Sequence, residues 1–123
     1  MVTPRFTIII PTLNEEKFLP NLLESIADQT EKSYEVIVVD GVSKDKTTVV
    51  ANSFTKKLPL RIIKCDRANL SMQRNLGAAA ASGEWLVFVD ADSVLLPYFC
   101  TRVNSFIKNT HPQLITTWCR PDS

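Results

Sequence analysis

Asp90-Ala-Asp92 sets two carboxylates two residues apart at the end of the apolar run Trp85-Leu-Val-Phe-Val89. In extended chain, residues i and i+2 share a side, so both carboxylates can face one metal ion or one ribose. Hard oxygen donors with no His or Cys beside them select Mg²⁺ or Mn²⁺. Acidic and amide groups recur after three other apolar runs, in Pro11-Thr-Leu-Asn-Glu15, Asp40-Gly-Val-Ser43 and Asp66-Arg67. Only three glycines exist, Gly41, Gly77 and Gly83, so the chain can build neither a GxGxxG turn nor a P-loop. A phosphate ligand must be held by another device, and carboxylates accept one only with a divalent cation between.

The elements that carry these loops follow from periodicity. Phe6–Ile10 (stopped by Pro11), Glu35–Val39, Arg61–Cys65 and Trp85–Val89 read as strands. Phe18, Leu19, Leu22, Leu23 and Ile26 predict an amphipathic helix, with Asn14 as N-cap and Glu15 and Glu16 in its first turn. Ser43 caps a second helix carrying Val49, Val50 and Phe54. Ser71 opens a third, with Met72, Leu76 and Ala79 or Ala80 inward and Gly83 at its stop. A fourth follows Pro97, with Phe99, Val103, Phe106 and Ile107 on one face, His111 caps its end, and Leu114–Trp118 reads as a fifth strand.

The β-α pattern predicts an α/β fold: a mostly parallel open sheet with helices on both faces, in one domain over residues 1–123. Ligands of such sheets bind beyond the carboxyl ends of the strands, where strand order reverses. With the first and fourth helices on opposite faces, the first and fourth strands are neighbours. The loops from Pro11 and Asp90 then flank one crevice, with Asp40 beside it.

Fourteen Lys+Arg against thirteen Asp+Glu give a net charge of +1, which offers no basic excess for a nucleic-acid backbone. With 45% hydrophobic and 22% charged residues, the chain is not a disordered tail or a coiled coil. Cys65, Cys100 and Cys119 form no CxxC pair and read as small buried apolar residues in a reducing compartment. No apolar run is long enough for a membrane span, so the expected location is cytoplasmic.

Thr7-Ile-Ile-Ile-Pro-Thr-Leu-Asn-Glu-Glu16 resembles the opening strand and loop of the family 2 glycosyltransferases, which have the Rossmann-like GT-A fold. Glu35 to Thr47 is similar to that family's second strand and its Asp-rich turn. Gln73-Arg-Asn-Leu-Gly77 with Ser82-Gly-Glu-Trp85 resembles the helix leading into its fourth strand, and Val87-Phe-Val-Asp-Ala-Asp92 its strand and DxD metal motif. The resemblance implies that Pro11, Thr12, Leu13 and Glu15 line a nucleotide, Glu15 near ribose or base. It implies that Asp40 accepts a hydrogen bond from the base, that Asp90 and Ala91 lie at the ribose, and that Asp92 ligates Mn²⁺ or Mg²⁺ at the diphosphate. Arg74 matches a family arginine near the same pocket. Val42 and Lys46 stand where the family usually has glycines.

The implied activity is metal-dependent transfer of a sugar from a UDP- or GDP-sugar to an acceptor hydroxyl. The family's acceptor region lies further downstream, and its general base is expected beyond Ser123. Asp122, the one acid after Asp92, does not match that base. The chain is therefore expected to be a truncated, donor-binding N-terminal portion that transfers little by itself. Membrane association is expected to depend on the missing C-terminal part, and an uncovered strand edge predicts self-association into a homodimer. Two alternatives stand beside this reading: a non-catalytic nucleotide-binding module, and a nucleotidyltransferase using the acidic pair.

Overall fold

The computed structural model describes residues 3–114. Eight elements alternate: β1 Phe6–Thr12, α1 Leu19–Ala27, β2 Tyr34–Asp40, α2 Thr47–Ser53, β3 Leu60–Lys64, α3 Leu70–Ala80, β4 Trp85–Phe88 and α4 Phe99–Thr110. The expected fifth strand lies outside the described residues from Ile115 onward. Asp122 and Ser123 lie outside them too. The sheet is wholly parallel, in the order β3-β2-β1-β4. β1 is central and buried along its whole length, as a strand covered on both faces must be.

Strands β1 and β4 are neighbours, as expected, but α1 and α4 are not on opposite faces. Leu19, Leu22, Leu23 and Ile26 of α1, Ala51 of α2, and Cys100 and Ile107 of α4 share one core with Phe6, Ile8, Ile10, Val36 and Val38. The opposite face, built on Ile9, Ile37 and Val39, is covered by Met72, Ala78 and Ala80 of α3. Handedness explains the arrangement. Right-handed crossovers from β1 through β3 lay α1 and α2 on one face, and reversing direction to reach β4 puts α3 on the other.

The inward face of α3 is the expected one at Met72 and Ala80 but not at Leu76, which is 38% exposed while Gln73 and Gly77 are buried. Gly77 permits close contact with β1, since a Cβ there would lie 2.5 Å from Ile9 Cγ2. Asn69 caps this helix by accepting from the Met72 N–H at 3.0 Å. Gly83 is no left-handed stop; a Cβ on it would lie 2.5 Å from the Thr7 nitrogen, so it is needed for close passage past β1. Glu35 holds this crossing in place, accepting from Thr7 Oγ1 at 2.6 Å and the Ser82 N–H at 2.5 Å. Burial pushes the Glu35 carboxyl up, but those donors, with Arg61 and the Gly83 N–H, hold it below its usual range.

Asn14 does not cap α1. That helix begins at Leu19, with Phe18 as its cap, Pro20 in its first turn and no acidic residue there. Asn14 instead adopts φ 54°, and its Oδ1 accepts from the Lys44 N–H at 2.8 Å, joining the loops after β1 and β2. Ser43 is likewise no cap of α2, which starts after Lys46. His111 does end α4, in the left-handed conformation at φ 49°. Cys65 and Cys100 are buried free thiols, and burial pushes Cys100 up to about 11. Among the described residues no helix is long and apolar enough to cross a membrane.

Candidate functional site

The reversal of strand order falls between β1 and β4, and Pro11 opens the sheet there. The two strands pair as far as Ile9 with Phe88, and the Val89 N–H donates to the Ile9 carbonyl at 3.0 Å. Proline has no N–H with which to continue the ladder, so the chain leaving β4 peels away. The gap is a crevice of about 440 Å³ lined by Pro11, Thr12, Leu13 and Glu15 on the β1 side and by Asp90, Ala91 and Asp92 on the β4 side. Ala68, Leu70 and Gln73 complete its wall.

Alternation after β4 sorts the acidic pair. Val89 and Ala91 turn into the core while Asp90 and Asp92 are exposed, so both carboxylates stand on the side that α3 covers. A turn closed by the Ser93 N–H to the Asp90 carbonyl at 3.0 Å holds them. Arg74 leans across from α3, with Nη2 3.9 Å from Asp90 Oδ1. Its Nε is the one sealed side-chain polar atom without a partner among the described residues. Arg74 is thus beside the acidic pair but not on the crevice wall.

Negative charge converges on this gap. Burial, then the fields of Asp92, Asp45 and Asp90, raise the Glu15 carboxyl above its ordinary 4.5. The folded chain therefore binds that proton more tightly than the unfolded chain. The stabilising difference is present below the ordinary value and is lost as pH rises through the folded one. In metal-free buffer Glu15→Gln is expected to raise the melting temperature at pH 7 slightly and to give no gain at acid pH. Equal shifts at both pH values would show that charge is not the cause.

Asp40 is placed differently from the other expected residues. It shares the face of Val36 and Val38, away from α3, and its carboxylate is already engaged. Oδ1 accepts from Thr12 Oγ1 at 2.7 Å and Ser43 Oγ at 2.6 Å, and Oδ2 from the Ser43 N–H at 2.9 Å. It lines a separate hollow of about 200 Å³ with Val42, Ser43, Thr48, Lys64 and Cys65, not the crevice. Val42, standing where the resemblance leads one to expect glycine, takes φ 63°, a conformation costly for a β-branched residue.

Sequence reasoning missed Ala68, Leu70 and Gln73. The available signal was the four-residue spacing of Gln73 and Gly77, which puts both on the helix face that a glycine brings closest to the sheet.

The donor set suits a hard cation only in part. Among the described residues no three Asp, Glu, His or Cys side chains could together enclose a metal. Asp90 and Asp92 offer a foothold of the kind Mg²⁺ or Mn²⁺ completes with substrate phosphate oxygens and water.

A doubly wound parallel sheet with carboxylates at its reversal point is an α/β domain whose ligand site lies in that crevice. Residues 7–122 match the model of glycosyl transferase family 2, and the chain belongs to that family. It is 40% identical over 115 residues to a PGL/p-HBAD biosynthesis glycosyltransferase of Mycobacterium bovis, covering 91% of this chain and 45% of that protein. The fold matches the crystal structure of Staphylococcus aureus TarS 1-349 in complex with UDP-GlcNAc at a TM-score of 0.83 and 32% identity, over 87% of this chain and 32% of that one. It also matches the mannosyltransferase PcManGT of Pyrobaculum calidifontis in complex with GDP-Man and Mn²⁺, at 0.74 and 29%, over 85% of this chain and 32% of that one. The chain spans less than half the length of these relatives.

Proposed function

We propose that this chain is the donor-binding portion of a glycosyltransferase that moves a sugar from a UDP- or GDP-sugar to an acceptor hydroxyl. The observation that carries the reading is the convergence of Glu15, Asp90 and Asp92 on one crevice at the strand-order reversal. Pro11, Thr12 and Leu13 supply the wall along which the nucleoside lies, and Glu15 and Asp90 accept from its hydroxyls. Arg74 holds Asp90 in place while Asp92 turns toward the diphosphate. Asp40, fixed at the ends of β1 and β2 by Thr12 and Ser43, accepts a hydrogen bond from the base.

Asp92, with Asp90, would hold Mn²⁺ or Mg²⁺. When bound, that ion supplies charge neutralisation for the leaving diphosphate. The general base and the acceptor region belong to sequence beyond Ser123, and residues 1–123 by themselves bind donor and transfer little.

Calorimetric titration with UDP and GDP, first in Mn²⁺ and then in EDTA, tests the reading. One of the two is expected to bind in Mn²⁺ and to lose most of its affinity in EDTA. Absence of binding to either would overturn the assignment of this crevice.

A further inference from the structure

We propose that Thr47 and Asp45, which stand outside the crevice, are positioning residues for Glu15: they hold its backbone from the neighbouring loop and so fix the side chain that meets the nucleotide. This inference rests on the nucleotide reading of the crevice and deepens it by naming what sets the geometry of one wall.

The loop after β1 is held by side chains of the loop after β2 through three successive amide groups. The Asn14 N–H donates to Ser43 Oγ at 2.8 Å, the Glu15 N–H to Thr47 Oγ1 at 2.8 Å and the Glu16 N–H to Asp45 Oδ2 at 3.2 Å. These donors belong to no helix or strand ladder, so one loop dictates the path of the other. That path includes φ 54° at Asn14, which an unsupported chain does not favour.

The middle bond has a fixed direction. A threonine hydroxyl has one proton, and that of Thr47 goes to Asp45 Oδ1. Its oxygen is left to accept from the Glu15 N–H. Asp45 therefore acts on both sides of Glu15, through Thr47 at residue 15 and directly at residue 16. Desolvation pushes the Asp45 carboxyl up, but the Thr47 hydroxyl and the Thr47 and Glu16 N–H groups hold it below its ordinary range. A carboxylate that merely capped α2 would need only the Thr47 N–H, 2.9 Å from Oδ1, and would leave the bonds to Glu15 and Glu16 without a purpose.

Glu15 is the residue of this trio that lines the crevice, and its carboxyl lies in the fields of Asp92 and Asp90. Like charges drive an unheld carboxylate away from such a place. Fixing the backbone at residues 15 and 16 opposes that retreat. Thr47 is fully buried, and neither it nor Asp45 lines the crevice, so both act through Glu15 and not on a ligand.

Titration of the 123-residue chain in Mn²⁺ with UDP and GDP, following whichever binds, tests this. Thr47→Val keeps the side-chain shape and removes the acceptor; it is expected to weaken binding roughly ten-fold, and Thr47→Ser to restore it. Glu15→Ala supplies the readout that a purely structural role would not move. It weakens binding itself, and adding Thr47→Val to it is expected to cost nothing further. Asp45→Asn decides by sign. Removing a negative charge near a diphosphate strengthens binding by Coulomb's law alone, whereas releasing Glu15 weakens it, and weaker binding is expected. Should Thr47→Val not fold, Asp45→Asn, at a partly exposed position, takes its place in the cycle with Glu15→Ala. Binding undiminished by either substitution, no recovery in Thr47→Ser, or an equal loss with and without Glu15 overturns the proposal and leaves the crevice assignment standing. Binding of neither nucleotide to the wild-type chain overturns the nucleotide reading itself.

Discussion

In Mn²⁺ the Asp92→Asn chain is expected to bind UDP or GDP roughly 100-fold more weakly than wild type, about 3 kcal/mol. The substitution keeps side-chain size and removes one charge. Asp92 is exposed beyond the end of β4 and its charge repels Glu15, so the melting temperature should not fall. The loss then reports on the cation link to the diphosphate rather than on folding. Titration in EDTA is the control: without the cation both chains should bind weakly and alike. A loss of the same size in EDTA would show that Asp92 touches the nucleotide directly, and undiminished binding in Mn²⁺ would remove it from the site. Asp90→Asn is expected to cost less, because Arg74, 3.9 Å away, already shares its charge.

The Gly77→Val chain is expected to lose about 3 kcal/mol of stability, read as a fall in urea midpoint. A Cβ at this position would lie 2.5 Å from Ile9 Cγ2 and 3.2 Å from Val39 Cγ2, and both partners are fully buried in the sheet. The extra methyls must lift α3 from β1 or force Ile9 out of its rotamer. Coupling separates this mechanism from a change in helix propensity. Ile9→Ala removes the obstructing methyl, so the double variant should lose less than the two single losses added together. Strict additivity would show that the contact is not the source of the cost.

The order of elements and the acidic pair were legible because both have short-range signals. Four β-branched runs and the alternation through Val89, Asp90, Ala91 and Asp92 survive folding unchanged. What was not legible depended on the third dimension. Asn14 and Ser43 carry the residue types of helix caps, but each found a partner across the sheet end, in the other's loop. Leu76 looked like core, yet the side of α3 nearest β1 has room only for Gly77, which turns Leu76 outward and Gln73 inward. The faces of α1 and α4 follow from where the chain reverses, and no local pattern records that. Asp40 is at the strand end as expected, but the partners that fix its carboxylate, Thr12 at the end of β1 and Ser43 in the loop after β2, were not legible in the motif.

The placement of β4 has a consequence for when the crevice exists at all. β1 pairs with β2 and β2 with β3, each the next strand in sequence, while β4 is four residues long and among the described residues pairs only with β1, far back along the chain. Such a strand is the part of a sheet that opens most readily without the rest unfolding. Glu15 and the acidic pair therefore belong to segments that separate when it opens, and the binding site vanishes before the fold does. A nucleotide bridging them acts as a clasp on this edge: it should slow amide exchange along Trp85–Phe88 while leaving exchange at the β2–β3 seam almost unchanged.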